Sequence, residues 1–353
     1  MTAQGALTLD IDVGAAAPGV ERVVADVFLP DPSGLREAPV VMVCLPGGGM
    51  SRRYFDLRVP DELGCYSMAR HLAAAGNVVV TIDPPGVGDS DRPIDGYSLT
   101  PVVVADVVAC ATSSILDRLH IGAVSDEFPA CPELVVCGLG HSAGGLLTVV
   151  QQARHHSYRA LVLLGFEGGG LVDILTDDER RYLDDPDGLS EVIASLAATR
   201  FNDPLPVGTS ATSSFLIRGG PPAPVMAAIA DAGSALLAVV GLACLVRGSV
   251  SKELSSINVP VFLGTGEFDI TGFPHAIPRQ FPGSQDVTVF VLPNAGHNHN
   301  VAESRVVLWD RIAAWPSRWR RSAQASCGPP PSERDIGPRP QQPTTMSNQM
   351  ISV

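Results

Sequence analysis

Five residues near the middle of the chain, Gly140-His141-Ser142-Ala143-Gly144, constrain its fold more than any other feature. They follow an apolar β-run, Glu133-Leu134-Val135-Val136-Cys137-Gly138. They precede Gly145-Leu146-Leu147-Thr148-Val149-Val150-Gln151-Gln152-Ala153, which can begin a helix. A strand, a sharp turn and a helix in that order put a serine on a strained elbow, its hydroxyl exposed at the top of a sheet. Glycines on both sides permit the close backbone approach that such a turn demands. The bare G-x-S-x-G pattern also occurs in ordinary turns, so the flanking strand and helix carry its weight.

A serine used for acyl transfer needs a histidine to take its proton and a carboxylate to hold that histidine's tautomer. This chain supplies both partners downstream of the serine, a carboxylate and then a histidine. Val259-Pro260-Val261-Phe262-Leu263-Gly264 reads as a buried strand ending in Thr265-Gly266-Glu267-Phe268-Asp269. The next strand, Val287-Thr288-Val289-Phe290-Val291-Leu292, runs into Pro293-Asn294-Ala295-Gly296-His297. Asp269 and His297 thus sit just past the carboxyl ends of strands, where open α/β sheets place their ligand sites. Rivals stand close by. Glu167 follows the earlier run Ala160–Phe166, Glu267 lies two residues before Asp269, and His299 lies two residues after His297. His141 occupies the variable position of the elbow, where packing under the turn is its expected role. The histidine-rich stretch 296–300 has no Cys, Asp or Glu companion at ligand spacing, so no metal is expected.

Along the chain, residues 5–30 read as two strands, and Pro39–Leu45 as a strand buried on both faces. Asp61–Ala75 reads as a helix stopped by Gly76, Asn77–Asp83 as a strand, and Thr100–Leu119 as a long helix with Thr100 as N-cap. Alternating strands and helices through residue 166 argue a mainly parallel sheet. The alternation fails between 167 and about 255. Within that stretch Leu175–Leu183, Leu189–Thr199 and the apolar run Ala232–Val246 read as helices. The apolar run is shorter than the roughly 20 residues a spanning helix needs, so a buried helix is expected and a membrane is not. A last helix is expected from Ala302 to Trp315. The Ser, Pro, Gly and Gln-rich residues 321–353 are expected to be disordered.

These motifs together resemble the serine hydrolases of the α/β-hydrolase superfamily. The resemblance rests on Leu45-Pro46-Gly47-Gly48-Gly49, Asp83-Pro84-Pro85-Gly86-Val87-Gly88-Asp89-Ser90, the elbow, Gly266-x-x-Asp269 and Gly296-His297, and spans roughly residues 38–300. It implies an α/β-hydrolase fold: a mainly parallel central sheet flanked by helices, with a helical cap inserted after the sixth strand. Residues 1–166 and 256–320 would form the core and 167–255 the cap. It implies Ser142 as nucleophile, Asp269 as acid and His297 as base. The backbone amides of Gly48 and Ala143 would form the oxyanion hole, with Gly49 as second choice to Gly48. Many relatives carry histidine where Pro46 stands, which leaves the register of that loop open. Asp89 and Ser90 are expected to be structural, with Asp89 bonding backbone amides.

The composition bounds the function. The 353 residues are 45 % hydrophobic, enough for a sizeable core. A net charge of −13 repels polyanions, so nucleic acid is not an expected partner. The seven cysteines show no disulfide or zinc spacing, and Cys44 and Cys137 fall in expected core strands. The N-terminus lacks a basic start and a long apolar core, so a cytoplasmic protein is expected. The expected activity is hydrolysis of a carboxylic ester or lactone with a hydrophobic moiety, without cofactor. Thioester, acyl-transfer and carbon–carbon bond chemistry on the same triad stay open, as does a homo-oligomer. A non-catalytic small-molecule receptor on the same fold is the remote alternative.

Overall fold

Valine, leucine and isoleucine runs without polar alternation make strands that must be covered on both faces. The computed structural model describes residues 5–208, 212–213 and 215–319. The expected disordered tail lies outside them. Eight strands form one sheet: β1 (Leu7–Ala17), β2 (Val20–Phe28), β3 (Val40–Leu45), β4 (Val78–Ile82), β5 (Val135–His141), β6 (Ala160–Leu164), β7 (Val261–Gly266) and β8 (Val287–Leu292). Their spatial order is β1-β2-β4-β3-β5-β6-β7-β8. β1 and β2 pair antiparallel, as do β2 and β4, and every other pair is parallel. Each parallel neighbour requires a crossover, and helices supply it.

Nine α-helices are described: α1 (Met68–Ala74), α2 (Pro101–His120), α3 (Ala143–His155), α4 (Asp177–Arg180), α5 (Pro186–Phe201), α6 (Ala223–Asp231), α7 (Ala238–Leu245), α8 (Ser251–Ser256) and α9 (Arg305–Ala314). The period-2 geometry of β3 splits the core between the two faces of the sheet. Val41, Val43 and Leu45 pack with residues of α2 and α3, while Val40, Met42 and Cys44 pack with α1 and α9. α2 starts as its sequence dictates: the Thr100 side chain accepts from Val103 N–H, and Pro101 follows. No described helix is long and apolar enough to cross a membrane.

Between β6 and β7 the described residues hold α4 to α8 and no strand. The expected helix Leu175–Leu183 is α-helical only over Asp177–Arg180. Ala232–Val246 is not one helix; only Ala238–Leu245 is helical. Ala232 caps α6, and Gly233–Leu237 are non-helical because neighbouring segments take their backbone groups. Ser51 N–H donates to Ala232 C=O, Ser234 N–H to Gly49 C=O, and Leu236 N–H to Pro206 C=O. Likewise Asp61–Ala75 is a 3-10 turn (Asp61–Leu63) and then α1, whose N-cap is Ser67, accepting from Arg70 N–H.

Asp89 also behaves differently from its expectation. Its carboxylate pairs with Arg52 and Arg53 rather than with backbone amides. Asp83, at the end of β4, is fully buried and takes the Arg52 guanidinium, the Arg52 N–H and the Asp89 N–H. Ser90 accepts from Val24 N–H and donates to Asp83 C=O, tying this loop to β2. Asp83→Ala strips the buried acceptor from the Arg52 and Asp89 backbone amides, while Arg52 keeps Asp26 and Asp89 as partners. It is therefore expected to lower the unfolding free energy by about 1–3 kcal/mol in urea titrations. Lys252→Ala breaks only an exposed pair with Asp187 and should leave the urea midpoint unchanged.

Candidate active site

The elbow is built as its glycines require. β5 ends at His141, α3 opens at Ala143, and Ser142 between them has φ 53° and ψ −119°. A non-glycine residue in that region costs on the order of 1–3 kcal/mol, so its surroundings must hold it. Ser142 N–H donates to Leu164 C=O of β6 at 2.8 Å, and Ser142 C=O accepts from Gly145 N–H at 2.8 Å. Gly144 could be nothing larger: a Cβ there would stand 2.1 Å from the Leu45 carbonyl oxygen. The start of α3 thus rests directly on the end of β3.

That contact brings the glycine loop after β3 beside the elbow. A Cβ on Gly48 would lie 3.6 Å from the Cβ of Ala143. Gly48 N–H makes no hydrogen bond among the described residues. Ala143 is the first residue of α3, where helical amides have no intrahelical acceptor. Gly48, Ser142 and Ala143 all line one cavity of about 350 Å³. Phe166, Phe201, Leu236 and Leu245 make much of its wall apolar. His297 lines the same cavity.

Asp269 sits on the turn after β7. Its carboxylate accepts from Gly266 N–H at 3.0 Å and Ile270 N–H at 2.8 Å. It also accepts from two imidazoles, His297 through Nδ1 at 2.7 Å and His299 through Nε2 at 2.8 Å. All three side chains are buried. Burial alone would raise the Asp269 pKa. The hydrogen bonds from His297 and His299 overturn that and hold it below the usual carboxylate range. An ionised carboxylate only accepts, so each imidazole turns an N–H toward it. His297 thus turns its Nδ1–H edge to Asp269, with Nε2 on the opposite edge of the ring. Gly165, at φ 57° after β6, flanks the pair closely: a Cβ there would stand 2.9 Å from His297 Nδ1.

The rivals are engaged elsewhere. Glu167 accepts from Gly272 N–H at 3.1 Å and from the Gln280 amide at 3.2 Å. Glu267 accepts from Asn294 N–H. Neither bonds a histidine. His299 lies in a 3-10 turn, His299–Val301, and shares the carboxylate of Asp269. Spacing in the sequence could not reveal that bond, because His-x-His fits many turns. The Ser142 hydroxyl makes no hydrogen bond among the described residues.

A profile of the Alpha/beta hydrolase family matches residues 42–310. The chain belongs to that family. No curated protein sequence matches it significantly. Among solved structures, proline iminopeptidase of Mycobacterium smegmatis is similar at TM-score 0.58 and 17 % identity, covering 89 % of this chain and 98 % of that one. The epoxide hydrolase CorEH is similar at TM-score 0.56 and 14 % identity, covering 90 % and 100 %. An esterase from Exiguobacterium antarcticum is similar at TM-score 0.55 and 16 % identity, covering 84 % and 96 %. At such identities these likenesses concern the fold.

Under the elbow of this α/β-hydrolase lies His141. Its ring stacks on Tyr54, with centroids 4.7 Å apart, and its Nε2–H donates to His297 C=O at 2.9 Å. Burial, then the neighbouring His297 and His299, push its pKa well below the ordinary histidine value. The native ring therefore stays neutral where an unfolded histidine, with pKa about 6.5, takes up a proton. The unfolded state binds more protons below that pH, so stability falls as pH falls from about 6.5. His141→Gln keeps a donor for His297 C=O and removes the titration. Its urea-derived stability between pH 6.5 and 5 is expected to fall less steeply than that of the wild type, by up to about 1.4 kcal/mol per pH unit.

Proposed function

We propose that this α/β-hydrolase is a serine hydrolase cleaving a carboxylic ester or lactone with a hydrophobic acyl or alcohol group. The observation that carries the reading is one cavity wall. Ser142 on its strained elbow and His297, hydrogen-bonded to Asp269 at 2.7 Å, line the same largely apolar pocket.

The chemistry follows from the protonation states. Asp269 is ionised, so His297 holds its proton on Nδ1 and presents Nε2 as a base. Nε2 takes the Ser142 proton as Oγ attacks the carbonyl carbon, and the carbonyl oxygen becomes an oxyanion. Gly48 and Ala143 N–H groups receive that charge, each such donor being worth on the order of 3 kcal/mol in the transition state. The imidazolium then gives its proton to the departing alcohol oxygen, leaving an acyl-serine. Water, deprotonated by the same Nε2, attacks the acyl carbon; the bond from that carbon to Oγ then breaks, the carboxylic acid leaves, and the imidazolium returns its proton to Oγ. Asp269 stabilises the imidazolium in each half-reaction without itself taking the proton. Apolar walls from the residues after β6 favour a substrate with a hydrophobic portion.

A fluorophosphonate probe is expected to label the wild type and to leave Ser142→Ala unlabelled, as read by intact mass. Labelling that persists in Ser142→Ala would falsify the nucleophile assignment. On a panel of p-nitrophenyl esters, lactones and acyl thioesters, Asp269→Asn should lower kcat by about 10³-fold or more. Glu167→Gln, which weakens only a tie between loops, should change it by a few-fold at most; the opposite ranking moves the acid to Glu167.

A further inference from the structure

His299 lies outside the proposed triad, yet it holds the second oxygen of the triad's carboxylate. The terminal torsion of an aspartate is broad and roughly two-fold, so a carboxylate held through one oxygen can swing. Asp269 is held through both. Oδ1 meets His297 Nδ1 and Ile270 N–H, and Oδ2 meets His299 Nε2 and Gly266 N–H.

The clamp is itself anchored. His299 N–H donates to His297 C=O at 3.0 Å, and Ala302 N–H donates back to His299 C=O at 3.1 Å. The next residue, Asn300, donates to Tyr54 C=O at 3.1 Å and accepts from Trp309 Nε1–H at 3.0 Å. The groups facing the His299 ring are Asp269 from the turn after β7, His297 from the loop after β8 and His141 from the elbow, whose other face stacks on Tyr54. His299 Nδ1, on the other side of the ring, is buried with no hydrogen-bond partner among the described residues. An unsatisfied buried nitrogen is costly, and an apolar ring of similar size would fill the space without that cost. A space-filling role therefore does not account for histidine here, whereas the Nε2–H bond to Asp269 does.

We propose that His299 is a positioning residue: through Nε2–H it fixes the plane of the Asp269 carboxylate, and so the orientation of His297 toward Ser142. This rests on the serine-hydrolase reading above. Displacements of about 1 Å in such a constellation cost on the order of 10²-fold in rate. Groups behind a functional histidine that fix its orientation have effects of about 10–100-fold in metal sites.

The test compares His299→Phe with His299→Gln, whose amide N–H replaces the donor. Activity is read on whichever panel ester the wild type cleaves best, and thermal midpoints are recorded. His299→Phe is expected to lose about 10–100-fold in kcat with KM within about three-fold, and His299→Gln to recover most of the loss. Equal losses in both variants that track their loss of thermal stability would assign His299 a structural role and overturn the proposal. Unchanged kcat in His299→Phe would overturn it as well. A second readout needs no turnover. The downfield His297 Nδ1–H proton resonance, assigned by its absence in His297→Gln, should exchange with solvent at least about tenfold faster in His299→Phe than in wild type or His299→Gln. Identical exchange in all three overturns the clamp. Should the wild type resist the fluorophosphonate, the reading of the site fails on that result, and the exchange comparison still judges the clamp.

Discussion

The positive φ at Ser142 is the constraint on which the candidate site is built. A helix can follow a strand this abruptly only if one residue accepts a strained backbone and its neighbours approach without side chains. The hydrogen bond from Ser142 N–H to Leu164 C=O holds that residue from β6, and the bare Cα of Gly144 lets α3 settle on the end of β3. Both contacts are made by neighbouring parallel strands, so the elbow exists only because β3, β5 and β6 lie side by side. The same adjacency sets the glycine loop after β3 against Ala143, and the order β6-β7-β8 delivers Asp269 and His297 beside Gly165.

Electrostatics then divides the labour among three buried histidines. The Asp269 carboxylate is deeply buried, which would favour its neutral form, but two imidazole N–H groups and the Gly266 and Ile270 backbone amides keep it charged. That charge orients His297. His141, with a carbonyl as its hydrogen-bond acceptor, stays neutral beneath them and braces the backbone of His297. One ionised group in a low-dielectric surrounding thus sets the direction of the side chains that touch it.

Much of this was legible in the sequence. Apolar runs without alternation marked β3 to β7, Thr100-Pro101 marked the start of α2, and the glycines around Ser142 marked the elbow. Other features were not, for identifiable reasons. Ala232–Val246 has helical composition throughout, but its first residues give their backbone groups to Gly49, Ser51 and Pro206, partners far away in the chain. Asp89 reads as a turn carboxylate, yet Arg52 reaches it from a segment 37 residues earlier. Glu167 and Asp269 were separable only by what each touches: Glu167 meets Gly272 and Gln280, and Asp269 meets His297.

The sequence alone determined the local events, because strand runs, helix caps and glycine-flanked turns depend on residues a few positions apart. It thereby settled the α/β class and nominated Ser142, Asp269 and His297. Tertiary structure decided which histidine and which carboxylate meet, that His299 closes on the same aspartate, and which part of the apolar run stays non-helical. Those outcomes depend on contacts between segments distant in the chain, where a hydrogen bond or a buried charge outweighs local preference.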